Sequence, residues 1–289
     1  MGRKTLLLVN ATKPEAAEAA SEIRELVRQH GELLGELPAD SSPLPPEYKG
    51  AELYVVLGGD GTLLAQSRRC ASPRSAMLGV NLGRLGYLAA FDLKTMRAQA
   101  PELFGVGPLR TREYNLLNVE VSSKGDREAH FSTVALNDAV ITAGPPYRLI
   151  TLTLTLNGKE GPSIRGDGLI VASPVGSTAY NLSAGGPVID PGVDALAITP
   201  IAPQSLSFRP VVVDGDCTIE VTLVKTNAGA GGQGTTLVLD GQIQAPLKAG
   251  DKVRITKHDH GIRFVINEKS DWWSRLINRL QWASTPRMS

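Results

Sequence analysis

The stretch that decides the fold is LYVVLGGDGTLL, at residues 53–64. Its apolar half, residues 53–57, is typical of a buried parallel strand. The glycines that follow allow a tight turn and a close ligand approach, and the N–H groups at the start of the next helix can bind phosphate oxygens. Asp60 is thereby predicted at the C-terminal edge of a sheet, where it suits a proton acceptor or a magnesium ligand. The alternative is a plain strand-to-helix turn with a capping aspartate.

Composition narrows the classes of function. The chain has 289 residues, of which 42% are hydrophobic, enough for two domains. Its 30 basic and 29 acidic residues nearly cancel, so no global basic surface points to nucleic acid or to an anionic membrane. Cys70 and Cys217 match no metal spacing and no disulfide framework, which favours a cytoplasmic location. We expect no signal peptide and no span of a bilayer, because a strand begins at residue 5 and no apolar run is long enough.

The hydrophobic pattern changes along the chain. In the first part, strands at 5–9, 53–57 and 77–80 alternate with helices at 14–30 and from about Thr62, and residues 38–49 are expected to form an exposed loop. Beyond about residue 110 the candidates are nearly all strands: 116–121, 133–141, 150–156, 168–172, 211–213, 217–224, 235–239, 252–256 and 262–266. We therefore predict an N-terminal α/β domain with a Rossmann-like parallel sheet, followed by a β-rich, sandwich-like C-terminal domain.

Two further segments have open interpretations. At the C-terminus, Trp272, Trp273, Leu276, Ile277 and Leu280 share one helical face; the face can dock on a membrane, but packing against the protein itself is favoured. Residues 228–234 are glycine-rich and indicate a mobile hairpin tip; a phosphate loop is the alternative, although no strand-to-helix context supports it.

Candidate polar motifs also carry alternatives. In the loop at 81–88, Arg84 can bind a phosphate and Tyr87 can stack on a base or a ribose. The alternatives are a solvent-exposed arginine and a tyrosine that packs in the core. Asn137-Asp138 interrupts a strand pattern in which both residues are disfavoured, so a bulge, a ligand site or an Asx turn is expected there. The block at 173–181 is rich in hydroxyl donors beside an aromatic ring. His258-Asp259-His260 suggests a polar turn more than a metal site.

Together these motifs resemble the NAD kinase family. The GGDGT stretch at 58–62 is shared with lipid kinases of the diacylglycerol and sphingosine type. The order of the further blocks narrows the resemblance: NLGRLGY at 81–87, ND at 137–138, RGDG at 165–168, PVGSTAY at 174–180, SLSFRP at 205–210 and DGQ at 240–242. Three positions depart from the common pattern: Tyr87 replaces a usual phenylalanine, Asp138 a frequent glutamate and Gln204 a frequent histidine.

The resemblance implies phosphorylation of the 2′-hydroxyl of the adenosine ribose of NAD, giving NADP, with ATP or polyphosphate as donor. Residues 1–108 would form the nucleotide-binding domain, with the tail 269–289 packed against it, and residues 109–268 the NAD-binding domain. Asp60 would be the catalytic proton acceptor. The implied NAD contacts are Asp60, Gly61, Asn137, Asp138, Arg148, Arg165, Asp167, Thr178, Ala179, Tyr180, Asn181, Leu182, Ser183 and Gln242. Arg165 and Asp167 would reach the nicotinamide end, often of the NAD bound to a neighbouring subunit. Gly59, Thr62 and Arg84 are candidate phosphate contacts.

The resemblance further implies a homodimer or homotetramer, no nucleic acid or membrane partner, and a divalent metal ion, Mg²⁺, held mainly by the phosphoryl donor and not by a protein metal site. No G-x-x-x-x-G-K-[ST] sequence is present, so the glycine loop itself is expected to hold the triphosphate. Two alternatives stay open. A lipid kinase would need an apolar acyl channel where residues 165–180 offer polar groups. A catalytically silent NADP-binding sensor would not need an intact Asp60.

Overall fold

This structure, a computed structural model, describes residues 2–10, 12, 14–83, 86–126, 128–229, 234–267 and 272–280. The chain divides into two compact units, residues 1–113 with 261–289, and residues 114–260. The strands are β1 (Lys4–Val9), β2 (Glu32–Pro38), β3 (Leu53–Leu57), β4 (Ala76–Val80), β5 (Thr111–Tyr114), β6 (Leu117–Ser122), β7 (Phe131–Ala135), β8 (Asp138–Thr142), β9 (Ile150–Leu156), β10 (Lys159–Gly166), β11 (Gly168–Ala172), β12 (Ala195–Ile201), β13 (Val211–Asp214), β14 (Ile219–Lys225), β15 (Thr236–Leu239), β16 (Ile243–Pro246), β17 (Lys252–Lys257) and β18 (Ile262–Val265). The helices are α1 (Pro14–His30), α2 (Asp60–Arg69), α3 (Leu93–Ala98), α4 (Ala100–Phe104), α5 (Tyr180–Ser183) and α6 (Trp272–Leu280).

The first unit is built on one six-stranded sheet in the order β2-β1-β3-β4-β18-β5. Strands β2, β1, β3, β4 and β18 pair in parallel. Alternate residues of these strands pack against the apolar stripe of α1 and against α3 and α4 in one buried cluster. Both faces of the central strands are buried, as the continuous apolar run at 53–57 predicts.

Three features of this unit differ from the sequence expectations. Strand β2 was not predicted, because it is a half-exposed edge strand interrupted by Gly35. Helix α2 begins at Asp60 itself, two residues before the predicted start at Thr62. Strand β18, expected in the β-rich domain, instead pairs parallel with β4, where Phe264 lies opposite Met77. A strand pattern describes local periodicity and carries no information about the partner strand.

The second unit is a sandwich of two antiparallel six-stranded sheets, in the orders β10-β9-β14-β17-β6-β7 and β13-β12-β11-β8-β15-β16. Side chains from both sheets form one buried cluster between them. In β9 the leucines at 152 and 154 enter this core while the threonines between them stay partly exposed, which confirms the predicted period of two. The predicted α/β domain and β-rich sandwich are therefore both present.

The predicted single strand at 133–141 is wrong. Its two parts, β7 and β8, belong to different sheets, and the chain crosses from one sheet to the other at Leu136-Asn137. The apolar residues on either side face the same core, so the hydrophobic pattern runs through the crossing without a break. Strands β5, β10, β12 and β16 were also missed; β10 is an exposed edge with a proline at 162, and β12 carries a proline at 200.

The described part of the tail is α6. Its Arg275 and Leu276 are buried, and an Arg275 guanidinium nitrogen donates to the Tyr87 carbonyl at 2.8 Å, within the first unit. Trp282 and the rest of the predicted tail, residues 269–271 and 281–289, lie outside the described residues. No helix in the described ranges is both long and apolar enough to cross a membrane.

Candidate active site

Three parallel strands of the first unit end at the same edge of their sheet. Val9 of β1 lies opposite Leu57 of β3, and Leu57 lies opposite Val80 of β4. The next residues along the chain are Asn10, Gly58 and Asn81, so polar and glycine positions meet at the C-terminal edge, where open α/β sheets bind ligands. The predicted position of the GGDGT turn at this edge is correct.

The turn itself is locked by side chains. Asn10 donates from Nδ2 to Thr62 Oγ1 at 3.1 Å. A Cβ at Gly58 would lie 2.5 Å from the same hydroxyl oxygen, so only glycine fits there. Thr62 also donates its main-chain N–H to the Gly59 carbonyl at 2.9 Å. Gly59 and Thr62 thus shape the turn, whereas the third predicted phosphate contact, Arg84, lies outside the described residues.

Asp60 is the first residue of α2, and its carboxylate is held from outside the helix. It accepts three main-chain N–H bonds: Tyr87 to Oδ2 at 2.6 Å, and Leu88 and Ala89 to Oδ1 at 3.1 Å each. The loop after β4 is thereby tied to the start of α2. The carboxylate is oriented by the fold, without help from a substrate, which is the preorganisation that a catalytic group requires.

Glycine at position 86 is required by this arrangement. A Cβ there would lie 2.1 Å from Asp60 Oδ1, inside the carboxylate. The last two positions of the N-x-G-x-x-G-Y motif at 81–87 therefore have a physical reason that the sequence alone does not give. Its last glycine leaves room for Asp60, and the tyrosine after it supplies the first of the N–H donors.

In the second unit, Asn137 and Asp138 lie at the crossing between the two sheets, and a third carboxylate holds them there. Asp240, in the turn between β15 and β16, accepts N–H bonds from Leu136 at 3.1 Å, Asn137 at 2.7 Å and Asp138 at 3.3 Å. Asp240 also donates its own N–H to the Asp138 carbonyl at 3.1 Å. The acceptor for these N–H groups thus comes from a distant part of the chain. The Asx-turn alternative is wrong for Asn137, because its Oδ1 accepts no hydrogen bond from the described residues.

Asp138 and Asn137 both have buried side-chain oxygens: that of Asp138 lies near a second carboxylate, and that of Asn137 lacks a hydrogen-bond donor. Asp138 is 3% exposed; burial, and then the negative charge of Asp240, raise its pKa to about 7. Asn137 Oδ1 is buried and has no hydrogen-bond partner among the described residues. A buried acceptor without a donor costs free energy, and a ligand N–H or O–H would remove that cost.

The loop at 173–183 packs against Asn137. Ser173 donates its N–H to the Asn137 carbonyl at 2.9 Å, and a Cβ at Gly176 would lie 1.9 Å from that carbonyl oxygen. This contact places the short helical turns at 176–178 and 180–183 beside Asn137. The Tyr180 side chain is about half exposed, so its ring is available to a planar ligand. Among the other predicted contacts of this loop, those at least partly exposed are Thr178, Ala179, Leu182 and Ser183.

Asn181 differs from its neighbours, because its side chain is fully buried. It donates to the carbonyls of Ser177 at 3.1 Å and Pro187 at 3.0 Å, and accepts from the Thr199 hydroxyl at 2.6 Å. All of these bonds brace the loop, so a contact of Asn181 with NAD would have to come from its main chain. Gln242 is exposed, two residues after Asp240 in the same turn.

Arg148, Arg165 and Asp167 form a separate, exposed group at the other end of β8. Asp138 pairs with Ala172 of β11, whereas Gly168, next to Asp167, pairs with Thr142. Four residues of strand correspond to about 13 Å. The Asp167 carbonyl accepts the Ala143 N–H at 2.8 Å, and Asn227 donates to the carbonyls of Ala143 and Arg148 at 3.1 and 2.7 Å. Ala143 and Asn227 thus tie the main chains of Asp167 and Arg148 to the end of β8 that is farther from Asn137 and Asp138, and Arg165 lies two residues before Asp167, in β10.

Sequence reasoning missed three residues that shape these sites. The sequence does contain a signal for Asn10, because a polar residue directly after an apolar strand is a candidate for the ligand-binding edge of the sheet. Asp240 was noticed only as part of a motif, because its partners lie far away in sequence. Asn227 gave no usable signal, since it follows the exposed end of β14. His258 and His260 bond to each other in a turn, and no group of three or more potential metal-ligating side chains occurs in the described part of the chain.

Comparison with known proteins supplies the identity. Family models for the ATP-NAD kinase N-terminal and C-terminal domains match residues 44–107 and 136–266. The NAD kinase of Desulforamulus reducens is 34% identical over 284 residues, covering 95% of this chain and 96% of that protein. The NAD kinase of Azoarcus sp. is 36% identical over 237 residues, covering 82% and 78%. The chain belongs to the NAD kinase family. It is a kinase that acts on NAD and yields NADP.

Solved structures agree in fold. An NAD kinase from Archaeoglobus fulgidus, in complex with ATP, is similar with a TM-score of 0.70 and 26% identity, covering 92% of this chain and 94% of that one. A yeast NADH kinase complexed with NADH is similar with a TM-score of 0.82 and 23% identity, covering 99% and 89%. The latter likeness concerns the fold alone. These results agree with the resemblance drawn from the ordered motifs.

Proposed function

We propose that this NAD kinase transfers the terminal phosphoryl group of ATP to the 2′-hydroxyl of the adenosine ribose of NAD, with Asp60 as the proton acceptor. The hydroxyl proton passes to the Asp60 carboxylate, the hydroxyl oxygen bonds to phosphorus, and ADP leaves. The observation that carries this assignment is the carboxylate held by three N–H groups at the start of α2. A ribose hydroxyl is a weak nucleophile, and a positioned carboxylate is the usual remedy.

The phosphate groups require positive charge and N–H donors. The glycine-rich turn at 58–62 precedes the N-terminus of α2, where the helix dipole favours anions. We assign the donor phosphates to this turn, with Gly59 and Thr62 as its shaping residues and Arg84 as a further contact. A Mg²⁺ ion would arrive with the donor and neutralise the developing charge, as is general in phosphoryl transfer. The similar NAD kinase from Archaeoglobus fulgidus is in complex with ATP, which supports ATP as the donor here.

The adenosine part of NAD is assigned to the residues around Asn137. The unpartnered Asn137 Oδ1 would accept a hydrogen bond, Asp138 would bind a ribose hydroxyl, and the exposed Tyr180 ring would cover a face of the base. Gln242 and the exposed residues of the 178–183 loop complete the surface. A lipid kinase would need an apolar channel here, whereas polar and small side chains line this region.

A homo-oligomer explains the separate group at the far end of β8. Asp167 lies about 13 Å along the β8–β11 pair from Asp138, and Asn227 links the main chain of Arg148 to the same end of the pair. We therefore assign Arg148, Arg165 and Asp167 to the nicotinamide end of an NAD bound to a second subunit. Closed symmetry makes such an arrangement reciprocal, since each chain gives and receives the same group.

Subunit complementation tests this assignment. Asp60→Asn and Asp167→Ala variants are each expected to have little activity. After co-expression, the unfractionated mixture should recover about a quarter of the wild-type activity, since half of the dimers would be mixed and each would have one intact site of two; the purified mixed dimer should recover about half. Purification through two different tags isolates the mixed species. Recovery no greater than the sum of the two parents would contradict a shared site.

Arg165 and Asp167 are also expected to favour oxidised NAD. The oxidised nicotinamide ring is cationic, and we expect it to be attracted to the Asp167 carboxylate, with Arg165 assigned to orient that carboxylate. Reduction removes that charge, and a difference of about 1.4 kcal/mol gives tenfold discrimination. We expect wild type to phosphorylate NADH about tenfold more slowly than NAD, and Arg165→Gly to narrow the ratio. The measurement is kcat/KM for both dinucleotides in both proteins; equal use of NADH by wild type would overturn this interpretation.

The decisive assay for the function follows NADP formation from NAD and Mg²⁺ with ATP or polyphosphate in turn. A silent sensor would bind NADP and form none, and a lipid kinase would instead phosphorylate diacylglycerol or sphingosine. The donor panel also separates ATP from polyphosphate. We further place the enzyme in the cytoplasm, because its cysteines, Cys70 and Cys217, are both free and buried, as in a reducing compartment.

A further inference from the structure

We propose that Arg275, in the C-terminal helix α6, is a positioning residue for the carboxylate of Asp60 and acts through the peptide that joins Tyr87 to Leu88. This inference rests on the proposed role of Asp60 as proton acceptor. It gives the C-terminal helix a part in the reaction, although none of its residues is assigned to substrate.

The burial pattern of α6 is the first observation. Arg275 is only 7% exposed, whereas the apolar residues Trp273 and Ile277 of the same helix are 50% and 40% exposed. Amphipathic helices normally bury their apolar residues and leave arginine in water. Burying a guanidinium group costs free energy unless its charge is compensated by good acceptors. The helix thus places a cation where a leucine would ordinarily be.

The contacts of Arg275 explain where that cation acts. Its Nη1 donates to the Tyr87 carbonyl oxygen at 2.8 Å, and its guanidinium carbon lies 5.8 Å from the centre of the Tyr87 ring. The ring contact is within cation–π range. Arg275 therefore holds both the main chain and the side chain of Tyr87.

The same peptide unit connects Arg275 to Asp60. The Tyr87 carbonyl and the Leu88 N–H belong to one peptide group, and that N–H donates to Asp60 Oδ1 at 3.1 Å. A cation bonded to the carbonyl end polarises the peptide and strengthens donation from its N–H end. The preceding N–H, of Tyr87 itself, donates to Asp60 Oδ2 at 2.6 Å. The contacts thus run without a gap from the Arg275 guanidinium group, through the peptide between Tyr87 and Leu88, to the Asp60 carboxylate, and all of these groups belong to the first unit.

The test compares Arg275→Met, which keeps the aliphatic stem and removes the charge, with Arg275→Lys, which restores a charged donor. Arg275→Met should lower kcat about 10–100-fold, the scale of one charge-assisted hydrogen bond, and leave KM for NAD within about twofold. Arg275→Lys should recover part of kcat. Arg28→Met, at an exposed helical arginine of the same unit, is the matched control and should leave kcat unchanged. Melting temperatures are measured for every variant.

A purely structural anchor would give a different result. If Arg275→Met lowers the melting temperature but keeps kcat, Arg275 only fastens the tail and the inference fails. If Arg275→Met does not fold, Arg275→Gln, with a neutral donor, replaces it under the same criteria. Asp60→Asn is assayed beside them. Normal turnover in Asp60→Asn would refute the proposed role of Asp60 as proton acceptor, whereas an inactive Asp60→Asn with a normal Arg275→Met would refute this inference alone. In the Asp60→Asn background, Arg275→Met should cause no further loss of the residual kcat.

Discussion

Replacing Asp60 by asparagine is expected to lower kcat by about 10²–10⁴, the usual effect of losing a positioned general base. Asparagine keeps the shape of the side chain but cannot take the hydroxyl proton. Binding of NAD should remain within a few fold, because the residues assigned to the adenosine lie at 137–183 and in the turn at 240–242 and are not altered. Steady-state assays of NADP formation, with calorimetric titration of NAD, measure both quantities.

The three N–H groups that bond to Asp60 complicate the interpretation of Asp60→Asn, so the experiment needs a control at another carboxylate that accepts a main-chain N–H bond. An asparagine amide presents one oxygen and one NH₂ group to donors from Tyr87, Leu88 and Ala89, so at least one N–H bond should be lost and the loop loosened. Asp92→Asn makes the same change at the N-cap of α3, where the carboxylate accepts the Thr95 N–H at 2.7 Å. Asparagine caps a helix about as well as aspartate, so the control should lose little stability and keep kcat. A comparable drop in kcat in both variants would show that removing a carboxylate that accepts main-chain N–H bonds, and not the loss of proton transfer, explains the loss at Asp60.

The parts of the fold that the sequence predicted share a physical property: their patterns are local. Residues 53–57 are buried on both faces, so their apolar run identifies the strand without reference to a partner. The alternation in β9 likewise comes from one face meeting the core. The failures at 133–141 and at 262–266 have the opposite character. There the local period is correct, but the partner strand depends on contacts far apart in sequence, which a period does not encode.

The residues of the candidate site likewise divide into those with a local sequence pattern and those whose roles depend on contacts far apart in the sequence. Asp60 was found because glycines, a preceding strand and a following helix all lie within a dozen residues. The loop that holds its carboxylate follows another strand, and only the folded structure shows that Gly86 leaves room for it. Asp240 was missed as the acceptor for the N–H groups of Leu136, Asn137 and Asp138 for the same reason. Motif order identified the family, whereas the roles of the individual residues came from the hydrogen bonds.

Relative to wild type at the same pH, the Asp138→Asn variant is expected to be stabilised more at pH 8 than at pH 5. Burial, and then the charge of Asp240, raise the pKa of Asp138 from 3.8 to about 7 in the folded protein, and both causes disappear on unfolding. The folded state therefore binds this proton more tightly than the unfolded state. The resulting stability is fully present below about pH 4 and decreases as the pH rises through about 7, where the buried carboxyl must ionise.

Asparagine carries no such charge, so the difference in unfolding free energy between variant and wild type should grow by an amount on the order of 2 kcal/mol from pH 5 to pH 8. Chemical denaturation at the two pH values measures it, and Asp259→Asn, at an exposed aspartate, should show no comparable growth.

Asp138→Asn should also raise KM for NAD about tenfold and leave KM for ATP nearly unchanged, because the ionised carboxylate is the stronger acceptor for a ribose hydroxyl. Wild-type KM for NAD should then rise as the pH falls below about 7, whereas the KM of Asp138→Asn should stay flat. A stability difference that does not change with pH would show that Asp138 ionises without cost, and equal effects on both KM values would remove it from the NAD site.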